Sequence, residues 1–495
     1  MKINSKMLGH TAIMTAVNLI MKSVAVSFNA YLTNKIGTDG IGLFQLYISV
    51  YSLAVTAACA GVKLSAMRLT VETAASGRYD VSKTIRKIIG YGLFCALSSA
   101  VILYVFSDFI ALKCISGAQS GRPLQILALS LPFVSVSAAL GGYFTAVEKI
   151  PQYSAVQLIE QIFRIGVTVF LLNNINVNAV LNSVCAITAS MTAAEIFSAT
   201  LSLILKKYYK TEITYKKSTP SRLVLRIALP DGAGTFLRSL LLTFEHLLIP
   251  KGFRKSGADP SAALSAYGAI HGMALPVLLY PNAILVSFST LLISDLARKR
   301  ERKQTNAVNE TVKKNLKISG LYSLACAAFF VFFADTISEI VYKSNEAAQY
   351  IKILAPLVPV MYLDTVTDGM LKGLDQQLQS MRYNIFDSAL CIVLVMILLP
   401  KYSVKGYIFI LYLSELINFY LSFSRLIQIC EIRIFTRIKA SLKPEADSST
   451  LFPLTRCSDA RTENGYRTYQ GREKHSQALR FYRRKGRIQD LREWQ

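Results

Sequence analysis

Acid, histidine and tryptophan are scarce in this sequence. Its 495 residues include 30 Asp and Glu against 55 Lys and Arg, four His, and a single Trp, Trp494. The eight cysteines, at 59, 95, 114, 185, 326, 391, 430 and 457, are dispersed and form no C-x-x-C pair. Lying mostly within apolar runs, they read as small core residues rather than as metal ligands or a disulfide framework. With the histidines scattered as well, no metal and no cofactor is expected. Also missing are a P-loop, a D-x-D pair, H-E-x-x-H and G-x-S-x-G, and no polar segment large enough for a catalytic domain precedes residue 440. ATP-driven transport by this chain alone and ordinary hydrolysis therefore lack support, and the chain reads as a non-enzyme.

What the sequence does have is apolar length. It is 52% hydrophobic and only 17% charged, yet carries a net charge of +25. Disorder needs low hydrophobicity together with high net charge, so a disordered chain is excluded, and a soluble globular enzyme is not the default. A membrane-spanning helix needs about 20 apolar residues, which gives twelve expected spans, at 8–32, 41–61, 88–112, 123–147, 153–173, 180–205, 224–249, 263–293, 316–341, 347–371, 384–400 and 404–430. The first apolar stretch continues past Met21 with no small-x-small cleavage site after it, so it reads as a span and not a signal peptide.

The loops alternate in charge. Lys63, Arg68, Arg78, Lys83, Arg86 and Lys87 fill the second, seven basic residues from Lys206 to Arg226 the sixth, and eight from Arg298 to Lys317 the eighth. The first loop carries only Lys35, and the third Lys113 and Arg122. The positive-inside rule then places the even-numbered loops and both termini in the cytoplasm. The basicity is thus chiefly an orientation signal, and no nucleic-acid partner is expected.

The two halves of the chain match one another. Residues 22–32, KSVAVSFNAYL, align without gaps with 238–248, RSLLLTFEHLL, and Thr84-Ile85-Arg86-Lys87 aligns with Thr311-Val312-Lys313-Lys314. Both copies start on the cytoplasmic side, so the fold expected is all-α and polytopic, with two parallel-repeat six-helix bundles at 1–215 and 216–440. Such an arrangement suits a transporter whose bundles rock around a site at their interface. Pro276 and Pro281 interrupt the eighth span, and Pro132 and Gly141-Gly142 the fourth, where bending is expected.

A charge at bilayer depth costs on the order of 3 kcal/mol or more, so each one is presumed paired or turned to a polar interior. Asp231, Arg238 and Glu245 recur every seven residues in the seventh span, and Thr15, Asn18, Lys22 and Asn29 form the matching stripe in the first. Lys22 corresponds to Arg238 and Asn29 to Glu245. Two cations at equivalent positions suit an anionic head group such as a diphosphate. The competing reading of Arg238 is an ion pair with Asp231 or Glu245, and Lys22 has the alternative of snorkelling to an interface. Asp231 and Glu245 are candidate coupling or tuning residues. So are Asp364 and Asp368, one turn apart in the tenth span, where they either hold a coupling cation or proton or cap a kinked helix. Glu160 and Arg164 in the fifth span read as a self-contained structural pair. Glu195, Asp387 and Glu415 have no assignable partner. His271 reads as a satisfied interior histidine, and His246 has no assigned role.

The run Ala228-Leu229-Pro230, Arg238-Ser239, Glu245, Leu248-Ile249-Pro250, Tyr267-Gly268 and Gly272-Met273-Ala274-x-Pro276 resembles the stage V sporulation protein B group of polysaccharide and lipid-linked oligosaccharide flippases. So does Phe28-Asn29-Ala30-Tyr31-Leu32 with Gly37, Gly40, Gly42 and Phe44-Gln45. That group lies within the multidrug/oligosaccharidyl-lipid/polysaccharide exporter superfamily. The resemblance covers roughly residues 1–440. It implies a flippase of the bacterial cytoplasmic membrane that moves an undecaprenyl-diphosphate-linked saccharide by alternating access. Cavity cations at Lys22 and Arg238 would take the diphosphate, with Asn18 and Asn29 beside them. Its partners would be the lipid-linked saccharide, membrane lipids, and a coupling cation or proton. Relatives continue with two more spans where this sequence turns polar at Ser441. The segment from there to Gln495, with twelve Lys and Arg and seven Asp and Glu, reads as a disordered cytoplasmic tail. Two other readings stand beside the flippase. One is a cation-coupled drug or metabolite antiporter of the same superfamily, and the other a non-transporting scaffold for envelope assembly.

Overall fold

A computed structural model describes residues 5–430, apart from 77–79, 116–117, 119, 148, 175–179, 209–219 and 344. The expected boundary at 215/216 and the polar tail from Ser441 lie outside the described residues. Within them the chain is helical, with no strand: α1 (Ser5–Ala58), α2 (Val62–Ser76), α3 (Val81–Val105), α4 (Ser107–Cys114), α5 (Arg122–Ala128), α6 (Leu131–Ala146), α7 (Ile150–Asn174), α8 (Val180–Tyr208), α9 (Ser221–Lys255), α10 (Pro260–Tyr267), α11 (Leu275–Leu278), α12 (Asn282–Glu301), α13 (Thr305–Tyr342), α14 (Asn345–Leu354), α15 (Val358–Gly373) and α16 (Gln377–Cys430). The seven described cysteines are free.

Every expected span falls on helix, but the count of twelve is not confirmed. Eight helices among the described residues are long and apolar enough to cross a membrane, or nine if the bent pair α5 and α6 is one span. Two of the eight stretches run 55 and 54 residues, more than twice the length one span needs. Each is divided by a non-helical residue, Gly37 (φ 77°) in α1 and Ser403 (φ 50°) in α16. α9 does not qualify, because Arg222, Arg226, Asp231, Arg238 and Glu245 dilute its apolar run. The 40° bend between α5 and α6 falls just before Pro132, as the proline leads one to expect.

The exterior is apolar and the helix contacts are made by small residues, the reverse of a soluble bundle. Phe94, Phe332 and Ile340 are 72%, 79% and 74% exposed. An exposed apolar surface of this extent is stable in lipid and not in water. Inside, Ser190, Ala194, Ser198 and Ser202 on α8 recur every fourth residue and are buried, as are Asn315, Ser319, Ser323 and Ala327 on α13. Small side chains at this period let backbones approach closely. The Ser190 hydroxyl donates to the Ile187 carbonyl of its own helix at 2.7 Å and shares a 2.6 Å hydrogen bond with Thr168 of α7, and Ser323 donates to Gly320 at 2.9 Å.

Helices α2 to α8 pack among themselves and α9 to α16 among themselves, forming two bundles. The main contacts between the bundles run from α1 and α2 onto α9, α10, α12, α13 and the π-helical turn Gly268–Ala274 that follows α10. Their seam is two-fold symmetric. A β-carbon on Gly42 would stand 2.2 Å from the carbonyl oxygen of Leu264, and one on Gly268 would stand 2.1 Å from that of Thr38. Adding 226 to 42 and to 38 gives 268 and 264, so the two close approaches are one contact seen from each repeat. Thr38 and Ser265 share a hydroxyl hydrogen bond of 2.6 Å across the same seam. The parallel repeat read from the sequence is thereby visible as packing.

Candidate functional site

Pro276 shapes the bundle interface. Lacking an N–H, it leaves the carbonyl four residues earlier, Gly272, without its helical donor. The Asn29 amide from α1 donates to that carbonyl, and Tyr342 donates to the neighbouring Met273 carbonyl at 3.1 Å. One of the predicted site residues therefore spends its amide on closing the interface.

Lys22 and Arg238 are both exposed and, among the described residues, neither forms an ion pair. The pairing of Arg238 with Asp231 or Glu245 does not occur. Each cation is followed by a serine that reaches the opposite bundle: Ser23 shares a 2.6 Å hydrogen bond with Tyr280, and Thr56 donates to Ser239 at 3.2 Å. Both cations thus sit beside the bundle interface at equivalent positions of the two repeats. Asn18 falls among residues whose side chains lie outside the described set. Asp231 is half-buried and forms no ion pair among the described residues.

Arg238 and Glu245 of the α9 stripe both lie within electrostatic reach of Asp387. Glu245 turns into the second bundle, where it lies within electrostatic reach of Asp387 and Glu415. Asp364 joins them, in reach of Asp387, Glu415 and Arg238. Four acids from α9, α15 and both arms of α16 thus gather in one interior. Ser414 donates to Asp387 at 2.5 Å and Asn418 to Asp364 at 3.2 Å. The other Asp364 oxygen and the Asn418 carbonyl oxygen are buried and have no protein partner. These are two free oxygen acceptors among carboxylates, an environment suited to a proton or a small cation. Asp368, one turn along α15 and within electrostatic reach of Asp364, is ion-paired to Lys372 at 2.6 Å and accepts a hydrogen bond from Ser380. No group of three or more His, Cys, Asp or Glu positioned to hold a metal ion occurs among the described residues.

In the first bundle, Glu160 and Arg164 are not an ion pair. Although i, i+4 spacing would allow one, the guanidinium instead donates through Nη2 to Gln161 Oε1. Glu160 and Glu195 both act on Arg164 electrostatically without contact. Gln161 and Arg164 instead line a cavity of about 300 Å³ together with Asn29, Gln45, apolar residues of α1 and α8, and Pro276 from α11 of the second bundle.

Two histidines that sequence reasoning left idle come together. The His246 and His271 ring centroids are 4.8 Å apart. His246 Nδ1 bonds the Tyr267 hydroxyl at 2.7 Å, and His271 Nε2 bonds the Tyr407 hydroxyl at 2.6 Å. No spacing rule links positions on α9, the π-helical turn and α16, and this cluster had no signal in the sequence. The same holds for Asp387 and Glu415.

Family models match over most of the chain. The model described as polysaccharide biosynthesis protein matches residues 8–290, and the MatE model matches 256–397. Stage V sporulation protein B of Bacillus subtilis (strain 168) is 24% identical over 376 residues, 74% of this chain and 72% of that protein. Among solved structures, the inward closed lipid II flippase MurJ superposes with a TM-score of 0.64 at 13% identity, over 84% of this chain and 87% of that one. An inward-facing MATE-family multidrug transporter of the MOP superfamily gives 0.62 at 11% identity, over 85% and 99%. The apolar exterior, the paired bundles and these matches together make this chain a multi-pass membrane protein of the polysaccharide biosynthesis protein family, with a fold shared with those two solved transporters.

Proposed function

We propose that this protein is a flippase that carries an undecaprenyl-diphosphate-linked saccharide from the cytoplasmic to the outer leaflet of the bacterial cytoplasmic membrane, with both termini in the cytoplasm. The observation that carries the reading is the pair Lys22 and Arg238: exposed, free of ion pairs, and placed at equivalent positions beside the bundle interface. Exposed cations beside the bundle interface, Arg238 within electrostatic reach of Asp364 and Asp387 but in no ion pair among the described residues, leave hydrogen-bonding groups that an anionic head group can take. Arg238 offers a bidentate fork to one phosphate and Lys22 a point charge to the next. Relatives named as a sporulation protein and a lipid II flippase agree with a cell-envelope substrate. The chain moves no covalent bond in this scheme, so no catalytic group is needed.

Alternating access needs a seam that opens and closes, and the Gly42–Gly268 contact is its outer closure. The acids Glu245, Asp364, Asp387 and Glu415 serve as the coupling site, taking up a proton or monovalent cation in one state and releasing it in the other. The same cluster favours the second reading, a cation-coupled drug or metabolite antiporter, in which the acids would bind the substrate itself. The two readings separate on the charge of the transported molecule. Purified protein is reconstituted into liposomes holding a fluorescent undecaprenyl-diphosphate-linked hexose, and a membrane-impermeant quencher reports its leaflet. Translocation well above protein-free vesicles is expected. Translocation no faster than the blank, with uptake of a lipophilic cation instead, would assign the chain to the second reading.

A further inference from the structure

We infer that the cavity walled by α1, α7 and α8 of the first bundle, with Pro276 of the second at its edge, is a subsite for one neutral hexose ring, the sugar next to the diphosphate. This rests on the flippase reading above and names which part of that substrate the first bundle recognises. The cavity, about 300 Å³, is at the lower end of the roughly 300–1,000 Å³ typical of small-molecule sites, room for one ring rather than a chain of them. Its lining matches a pyranose in chemistry. Planar polar side chains, Asn29, Gln45, Gln161 and Arg164, suit the girdle of hydroxyls, and Phe28 and Phe44 suit the apolar ring faces.

The hydrogen-bond accounting asks for acceptors. Gln161 Nε2 and Arg164 Nε are buried donors with no protein partner, and buried donors are ordinarily satisfied. Sugar hydroxyl and ring oxygens accept from both. Charge decides between a neutral and an acidic sugar. Glu160 and Glu195 already stand against the single positive charge of Arg164, so the site has no surplus for a second anion. Position links the cavity to the diphosphate. Lys22, Ala25, Val26 and Asn29 follow one another at i, i+3, i+4 and i+7 on one face of α1, and the last three line the cavity. Seven residues of helix put Lys22 about 10 Å from Asn29 along the axis, a distance that a diphosphate and its first sugar bridge.

The test compares two lipids on the full-length protein in detergent: undecaprenyl diphosphate, and the same lipid carrying one glucose. Gln161→Leu removes the unpartnered donor, and Ile187→Phe fills the cavity from α8. Each is expected to weaken binding of the glucosylated lipid about tenfold, the loss of roughly one hydrogen bond, and to leave the bare diphosphate lipid unaffected. Melting temperatures near that of the unaltered protein establish folding, and two variants on separate helices guard against failure of one. Equal losses on both lipids, or no loss on either, overturn the subsite. Tetraphenylphosphonium is the third probe; if it binds the unaltered protein and either substitution abolishes that binding, the cavity is a cation site and the inference is wrong. Failure of the flippase reading looks different: the unaltered protein would then bind neither lipid.

Discussion

Substituting Gly42 by alanine tests the symmetric seam. The new methyl would lie 2.2 Å from the Leu264 carbonyl oxygen, and the obstacle is backbone rather than a mobile side chain end. Ordinary contact begins at 3.4 Å, so the bundles must part locally by about 1 Å. Overpacking of this kind costs about 1–3 kcal/mol. Charged against the closed seam, that shifts the balance toward the outward-open form by roughly 5- to 150-fold. Gly268→Ala meets the Thr38 carbonyl oxygen at 2.1 Å from the other repeat and should act to the same degree. Since both remove one contact, the double variant should fall short of the sum of the two. Spin labels at Lys35 and Ser261, both exposed, in a cysteine-free background, report the separation of the outer ends by pulsed electron resonance. A growing long-distance population in each single variant is expected. An unchanged distribution, or an effect of one glycine and not the other, would refute the two-fold closure.

Removing charge from the acid cluster should uncouple transport without abolishing it. Glu245→Gln and Asp364→Asn are each expected to flatten the dependence of the translocation rate on an imposed proton or sodium gradient; a gradient response equal to that of the unaltered protein would place coupling elsewhere. Tyr407→Phe leaves His271 Nε2 buried without its 2.6 Å partner, which costs about 1–3 kcal/mol. It should therefore lower the unfolding midpoint in a thermal scan. A midpoint unaltered by the substitution would show that the bond contributes nothing to stability.

The helical architecture was legible because bilayer depth imposes a length on apolar runs. The repeat was legible in Lys22-Ser23 and Arg238-Ser239, whose serines turn out to seam the bundles. Pattern failed where several helices converge. Glu245, Asp364, Asp387 and Glu415 lie on α9, α15 and the two arms of α16, and only packing brings them into one interior. Glu160 and Arg164 had the right spacing for a pair, yet Gln161 takes the guanidinium. Seven-residue periodicity placed Asp231, Arg238 and Glu245 on one stripe, yet Glu245 is half-buried where Arg238 is exposed. Spacing fixes direction around a helix and not what lies opposite.

The central claim is that Lys22 and Arg238 together hold a diphosphate. Its most direct measurement is the translocation rate of an undecaprenyl-diphosphate-linked hexose in vesicles containing Arg238→Ala, Arg238→Lys or Lys22→Ala. Loss of a charge-assisted contact is worth about 1.5–3 kcal/mol, so the alanine variants should fall at least about tenfold, with Arg238→Lys between them and the unaltered protein. Rates equal to the unaltered protein in both alanine variants would contradict the account.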